Sequence, residues 1–325
     1  MKRSLLTITV LAVICTVCPG WTQQSTNTYP TFKSVNKVAQ AGYQFLKIGP
    51  SARYAGMGEA VVTLDGDAST VFTNPAGIAA VENRSFFAGY TTWFADMKYQ
   101  AASAAVRVGN IGVFGLSAVY MDNGSILGTK ISNNNIGYED TGSLNVAEYA
   151  VGLSYGKKFT DRFQIGVTTK YCSQDLVAKK SAAVAFDIGT IYRMGWNDLR
   201  LAVSIQHFSK ELKYIAEYFE LPLIYRVGVS ASALDMLGLS SKTHHLTVAV
   251  EGVNPRDYSE RLHVGAEYWF SNLISLRGGY KFNYDVESFS FGAGLRLKIA
   301  EIDYAYSDFG GILGAISRFS ILVNF

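Results

Sequence analysis

The chain has 325 residues, of which 49% are hydrophobic, 13% aromatic and only 17% charged, with a formal net charge of +3. Soluble domains carry roughly 25% charged residues, and so small a net charge gives no reason to expect a nucleic-acid partner. Beyond the N-terminal run, no stretch reaches the roughly 18 consecutive apolar residues of a membrane-spanning helix, so the hydrophobic material belongs to a buried β fold or a membrane barrel.

Lys2 and Arg3 precede an apolar run over residues 5–17 that ends at Pro19 and Gly20, the layout of a secretory signal peptide. The predicted signal covers 1–23. Bulky Val17 before Cys18 argues against a lipoprotein. Removal takes Cys15 and Cys18 with it and leaves Cys172 alone, so stability must come from sheet closure and burial instead of a disulfide. Loss of Lys2 and Arg3 also brings the charge to about +1.

Residues 24–84 lack strand alternation and are rich in small side chains, for example Ala39-Gln40-Ala41-Gly42 and Ala55-Gly56-Met57-Gly58. They are predicted to form a hatch segment, followed by a barrel over 85–325. From Phe86 the pattern repeats every two residues: Phe289, Phe291, Leu295, Leu297 and Ile299 oppose Ser288, Ser290, Gly294, Arg296 and Lys298. Leu262, Val264, Tyr268 and Phe270 oppose Arg261, His263, Gly265 and Glu267, and Phe163, Ile165 and Val167 oppose Gln164, Gly166 and Thr168.

A soluble sandwich would give the same period, but these segments are longer than its usual ~5–6 residues. Their polar face is also heavy in Gly and Ser, as a crowded lumen requires. Aromatics near strand ends (Tyr90, Trp93, Phe94, Tyr268, Trp269, Phe270) fit interfacial girdles. The predicted fold is all-β, a transmembrane antiparallel barrel of about fourteen strands with an N-terminal hatch in its lumen. Tight turns at Gly109-Asn110, 159–162, Asn197-Asp198 and Ser271-Asn272 belong to one end, and longer links over 122–142 and 209–222 to the other. Phe319, Ile321, Val323 and Phe325 share one face of the final strand, the form of signal read by the barrel assembly machinery.

Several motifs have bland readings that fit better than their chemical ones. Gly152-Leu153-Ser154-Tyr155-Gly156 has the spacing of a nucleophile elbow, but strict alternation runs through it and no helix follows. Asp65-Gly66-Asp67-Ala68-Ser69 resembles the start of a calcium loop yet lacks Gly at the sixth position and Glu at the twelfth, so a hatch turn is expected. Gly292-Ala293-Gly294 lies within a strand, which argues against a nucleotide site. Adjacent His244 and His245 point to opposite faces of a strand, and polar roles are expected for them, His207 and His263. No catalytic residue, metal site or cofactor is expected, and the protein is read as not an enzyme.

On the alternation, Lys170, Arg226, Glu251, Arg261, Glu267, Arg277, Lys281 and Arg296 project into the lumen, with Asp187 a further candidate. They either pair with one another and the hatch, or line a polar pathway or headgroup site. Leu212, Tyr214, Ile215, Tyr218 and Phe219 form an apolar stripe at roughly helical spacing on an outer loop. That stripe is a candidate recognition surface for a hydrophobic ligand or a protein, or else a loop folded over the mouth.

The segment Phe45-Leu46-Lys47-Ile48-Gly49, Ala52-Arg53, Gly56-Met57-Gly58-Glu59-Ala60 and Asn74-Pro75-Ala76-Gly77-Ile78 resembles the N-terminal signature of the PorV/PorQ family, which is related to the FadL-type hydrophobic-compound transporters. Leu221-Pro222, Tyr225-Arg226-Val227-Gly228, Gly265-Ala266-Glu267-Tyr268, Leu276-Arg277-Gly278-Gly279-Tyr280-Lys281, Asp303-Tyr304-Ala305-Tyr306 and Arg318-Phe319-Ser320 continue the likeness in order over residues 43–325. Shorter than members devoted to type IX secretion and carrying Asn74-Pro75-Ala76-Gly77, the chain resembles the broad family and not that specialised branch. The resemblance implies a bacterial outer-membrane location, with membrane lipid as neighbour, and a hatch motif at Asn74, Pro75, Ala76 and Gly77. It also implies binding and passage of a hydrophobic small molecule. The alternative it carries is a type IX secretion accessory that holds a secreted client protein at the surface.

Overall fold

The computed structural model describes residues 41–133, 136–175, 180–214, 217–239, 241–310 and 314–325. The predicted signal peptide and the first part of the predicted hatch lie outside the described residues. Sixteen strands follow residue 83: β1 (Arg84–Thr92), β2 (Lys98–Val108), β3 (Gly112–Ile131), β4 (Tyr138–Lys158), β5 (Phe163–Asp175), β6 (Lys180–Arg193), β7 (Arg200–Ser209), β8 (Leu212–Tyr214), β9 (Glu217–Phe219), β10 (Ile224–Ser232), β11 (His245–Pro255), β12 (Arg261–Phe270), β13 (Ile274–Phe282), β14 (Phe289–Leu297), β15 (Ala300–Asp308) and β16 (Ala315–Asn324).

All except β8 and β9 join one closed antiparallel barrel of fourteen strands, sealed by β1 against β16 in the register Phe86↔Val323 to Thr92↔Ser317. Closure leaves no unpaired sheet edge, the condition a sheet must meet to cross lipid. Among the described residues no helix is long and apolar enough to cross a membrane.

The alternation holds through the wall. Phe289, Phe291, Leu295 and Leu297 are exposed on the outside of β14, while Ser290 points inward and is buried. Phe319, Ile321 and Phe325 are likewise outward, and the Phe86 and Phe325 rings meet edge to face with centroids 6.0 Å apart across the closure. Three of the expected girdle aromatics, Trp93, Phe94 and Trp269, belong elsewhere, Phe94 lining the mouth beside Trp93. Trp269 is buried inside, and Trp93 packs on the interior core, because β1 ends at Thr92 and the chain then turns over the barrel mouth.

Consecutive left-handed residues, Asn197 with Asp198 and Ser271 with Asn272, close turns at one end of the barrel. That end has one longer link, residues 233–244, which opens with the helix Ala233–Met236. At the opposite end the expected loop over 122–142 is mostly strand. β3 and β4 run on as 20- and 21-residue strands, paired from Ser125↔Asn145 to Ile131↔Tyr138 beyond a bulge at 122–125. We call this the loop end.

Residues 41–83 fold within the barrel as short turns: 3-10 turns at Gln44–Lys47, Ala68–Phe72 and Pro75–Ala80, and a helix at Ala52–Gly56. Turns this short leave most backbone groups unpaired internally, and buried groups need partners. The wall supplies them. Ser103, Ser204 and Gln206 donate to the carbonyls of Ala68, Thr73 and Phe72, while Ser85, Ser290 and Ser320 accept from the amides of Ala68, Gly58 and Ala52. The small residues of the lumen face have the same origin. A Cβ at Gly166 or Gly279 would overlap the backbone of Pro75 or of Met57 and Gly58.

Candidate functional site

Asn74 is the hub of the lumenal segment. It caps the turn Pro75–Ala80, its Oδ1 accepting from the Ala76 amide at 3.1 Å, and Pro75 follows in the first turn, where the missing N–H is not needed. The Asn74 Nδ2 donates to Val62 O at 2.8 Å and to Thr190 O of the wall at 3.3 Å. Ala76 is buried with Val62, Ile191 and Ala202. Gly77 is tight because a Cβ there would lie 2.6 Å from Thr70 Cβ and 2.8 Å from Leu64 O.

Of the eight expected lumen charges, seven stand in ion pairs: Lys170 with Asp187 (2.5 Å), Arg226 with Glu251 (2.7 Å), Glu267 with Arg53 and Arg277, Arg277 also with Glu301 and Asp303, Lys281 with Glu59 and Glu287, and Arg296 with Glu301. Arg261 lies over the rings of Tyr258 and Tyr284, 4.5 and 4.0 Å from their centroids. Several of these bonds tie the wall to the lumenal segment. Glu251 Oε2 accepts from the amides of Val61 and Val62 at 2.7 and 2.8 Å, and Arg53 and Glu59 are segment residues. The sequence reading missed the segment's own charges. Asp65 receives Arg193, Arg200 and Gln164, and Asp67 accepts from Ser69 and Arg53, which makes the 65–69 stretch a clamped turn. Charged residues inside a stretch destined for burial were the available signal.

Ser154 is buried on the lumen face of β4 and hydrogen-bonded to Thr168, without the turn an elbow needs. His263 sits between Glu59 O and the Tyr284 hydroxyl, and the His207 amide donates to Asp187. Burial raises the Tyr284 phenol above its ordinary value, against the pull of Lys281, so it stays neutral. No group of side chains among the described residues has the makings of a metal site.

The helical spacing expected over 212–219 is overturned. β8 and β9 form a two-stranded hairpin, with Leu212 opposite Phe219. Alternation in a hairpin puts both on one side, facing the interior core, and leaves Tyr218 outward at 66% exposure. Phe219 stacks on Tyr43, with centroids 6.2 Å apart, and Gly42 donates to Glu220 O beneath it. Ile215 lies outside the described residues.

The loop end opens into a vestibule of about 540 Å³. Its walls combine Phe45, Ile48, Trp93, Phe94 and Phe309 with Arg226, Arg261, Lys281, Arg318, Glu59 and Glu148. Deeper in the lumen lie voids of about 20 and 10 Å³. A groove of about 590 Å³ on the outer wall, floored by Ala88, Ala102 and Ala118, faces the side that the exposed apolar residues occupy.

No protein-family model matches the chain, and no curated protein matches it by sequence. Solved structures match it by shape. The toluene transporter TodX of Pseudomonas putida superposes with a TM-score of 0.60 at 12% identity, over 85% of this chain and 97% of that one. The monoaromatic hydrocarbon channel CymD gives 0.57 at 11% identity, covering 85% and 98%. A FadL homologue of Pseudomonas aeruginosa gives 0.54 at 13%, again covering 85% and 98%. The chain shares the fold of these three barrels. At these identities the likeness concerns fold alone.

Proposed function

We propose that the protein is a non-enzymatic outer-membrane channel of FadL type that binds a hydrophobic small molecule at the loop end and passes it inward, with residues 41–83 acting as the hatch. One observation carries this reading: a large void at the loop end is an aromatic-lined vestibule directly above the segment folded within the barrel. Passage then requires Asn74 to Gly77 and their neighbours to shift, and the lumen charges become the clamps that hold the closed state. The exposed apolar wall supports a setting in lipid. The ordered motifs over 43–325 support the PorV/PorQ branch.

The test is uptake of toluene and of longer apolar compounds into liposomes carrying the purified, heat-modifiable barrel. Uptake above that of empty liposomes, reduced by Phe219→Ala, is expected. Liposomes no more permeable than empty ones would sink the reading.

A second reading, a type IX secretion accessory, draws on the β3–β4 hairpin, whose strands have roughly twice the residues of β1 or β13 and offer a protein-docking surface. Cross-linking from Lys130 at its tip to a secreted client, with no apolar uptake, would favour it.

A further inference from the structure

We infer that the vestibule is built for a compact aromatic carboxylate whose acid group is received by Arg318. This rests on the small-molecule channel reading above and names the ligand class.

Arg318 stands on β16, next to outward Phe319, so alternation turns it into the lumen, where it is 1% exposed. Its Nη1 donates to Ser307 Oγ at 2.9 Å, but its Nε has no hydrogen-bond partner. Among the described residues no carboxylate comes within 4.0 Å of it, whereas the cations around it are satisfied. Lys47 has Asp257, Arg226 has Glu251, and Lys281 has Glu59 and Glu287. Arg261 is held between two tyrosine rings.

A buried guanidinium with a donor unused is costly unless an anion completes it, and the open space beside Arg318 is the vestibule itself. Glu148 and Glu59 also line that space, so an entering carboxylate is held by Arg318 against their repulsion.

The remainder of the ligand follows from what surrounds the guanidinium. Arg318 lies 5.4 Å from the Trp93 ring centroid, and Trp93, Phe94 and Phe309 pack on one another at 4.7, 5.7 and 5.1 Å. Such a cluster presents ring faces and edges to a flat aromatic body. An extended alkyl chain gains no such ring-to-ring packing. Two of the voids below the vestibule are small, of about 20 and 10 Å³.

The test compares benzoate with its neutral isostere benzamide by titration calorimetry at pH 7.5, on the full barrel in detergent, with hexadecanoate as competitor. Benzoate is expected to bind about tenfold tighter than benzamide, the return on one charge-assisted, bidentate-capable contact. Arg318→Gln should bring benzoate down to the benzamide level and leave benzamide unchanged, and Arg318→Lys should keep part of the preference. Equal binding of the two probes to the unaltered protein overturns the inference, and that comparison needs no variant to fold. So does a preference that survives in heat-modifiable Arg318→Gln, or hexadecanoate binding more tightly than benzoate. Uptake of neutral apolar compounds without any benzoate preference removes this inference alone. Failure to bind or pass any of the probes removes the channel reading with it.

Discussion

Arg53 and Glu267 meet in a two-pronged ion pair across the boundary between the lumenal segment and the wall, Nε to Oε2 at 2.8 Å and Nη2 to Oε1 at 2.7 Å. Glu267 also accepts from Arg277 Nε at 2.6 Å, so one carboxylate joins a segment cation to a wall cation. Removing one member of a buried pair usually costs about 3–5 kcal/mol, because the partner is left uncompensated. Arg277 keeps Glu301 and Asp303, so most of the loss falls on Arg53. Glu267→Gln is therefore expected to loosen the segment while the ladder of the barrel holds. Hydrogen exchange would read this as faster exchange over residues 52–67 with β12 and β13 unchanged. Uniform acceleration of the whole chain would refute the division of labour.

Gly278 and Gly279 are neighbours on β13 with opposite surroundings. A Cβ at Gly278 meets nothing within 4 Å, whereas one at Gly279 runs into the backbone of Met57 and Gly58. Gly278→Ala should change stability by no more than about 0.5 kcal/mol, as exposed substitutions do. Gly279→Ala must push backbone away and should cost about 1–3 kcal/mol, as overpacking does. Urea titration of the folded barrel distinguishes them, and equal effects would mean that the segment does not press on β13.

Asn74 both accepts and donates, and Asn74→Asp separates the two. The cap to Ala76 N–H survives, but an oxygen then faces Val62 O and Thr190 O where an NH₂ stood. Losing the donor leaves two carbonyls without it and sets like partial charges together, at about 1–3 kcal/mol. The expected result is protease sensitivity within residues 62–80 in Asn74→Asp, absent from the unaltered protein. A protected segment in that variant would show that the donor contributes little.

The barrel was legible because alternation is a local signal: each outward Phe, Leu or Ile of β14 and β16 fixes the facing of its neighbours. The same reasoning placed the lumen charges but not their partners, since the pairing of Glu267 with Arg53 spans 214 residues. Arg318 was equally visible in principle. It lies in phase with Ser320 on the inward face, but the outward neighbours Phe319 and Ile321 carry the stronger apolar signal. The 212–219 stripe misled because its apolar spacing suits a helix as well as a short hairpin. What decides is a tertiary contact, Phe219 on Tyr43, which no spacing reports. Trp93 was misplaced for a similar reason, since its position depends on where β1 stops.

The outward face of the wall gives the last prediction. Phe291 is 60% exposed, two residues in from the start of β14, opposite Gly278 and Tyr306. If that face meets water, Phe291→Arg is a surface change worth within about 0.5 kcal/mol. If it meets lipid, the guanidinium must be solvated inside hydrocarbon, and the cost rises toward the about 2–4 kcal/mol of a charge at the midplane. Phe291→Leu controls for the lost ring, because leucine is as content in lipid as phenylalanine. Unfolding by urea in lipid vesicles should therefore show Phe291→Leu close to the unaltered protein and Phe291→Arg well below both. Dissolving the vesicles in detergent should narrow the gap, because the charge can then reach water at the micelle edge. A Phe291→Arg barrel as stable in vesicles as the leucine variant would mean that the exposed face of β14 does not lie in a bilayer.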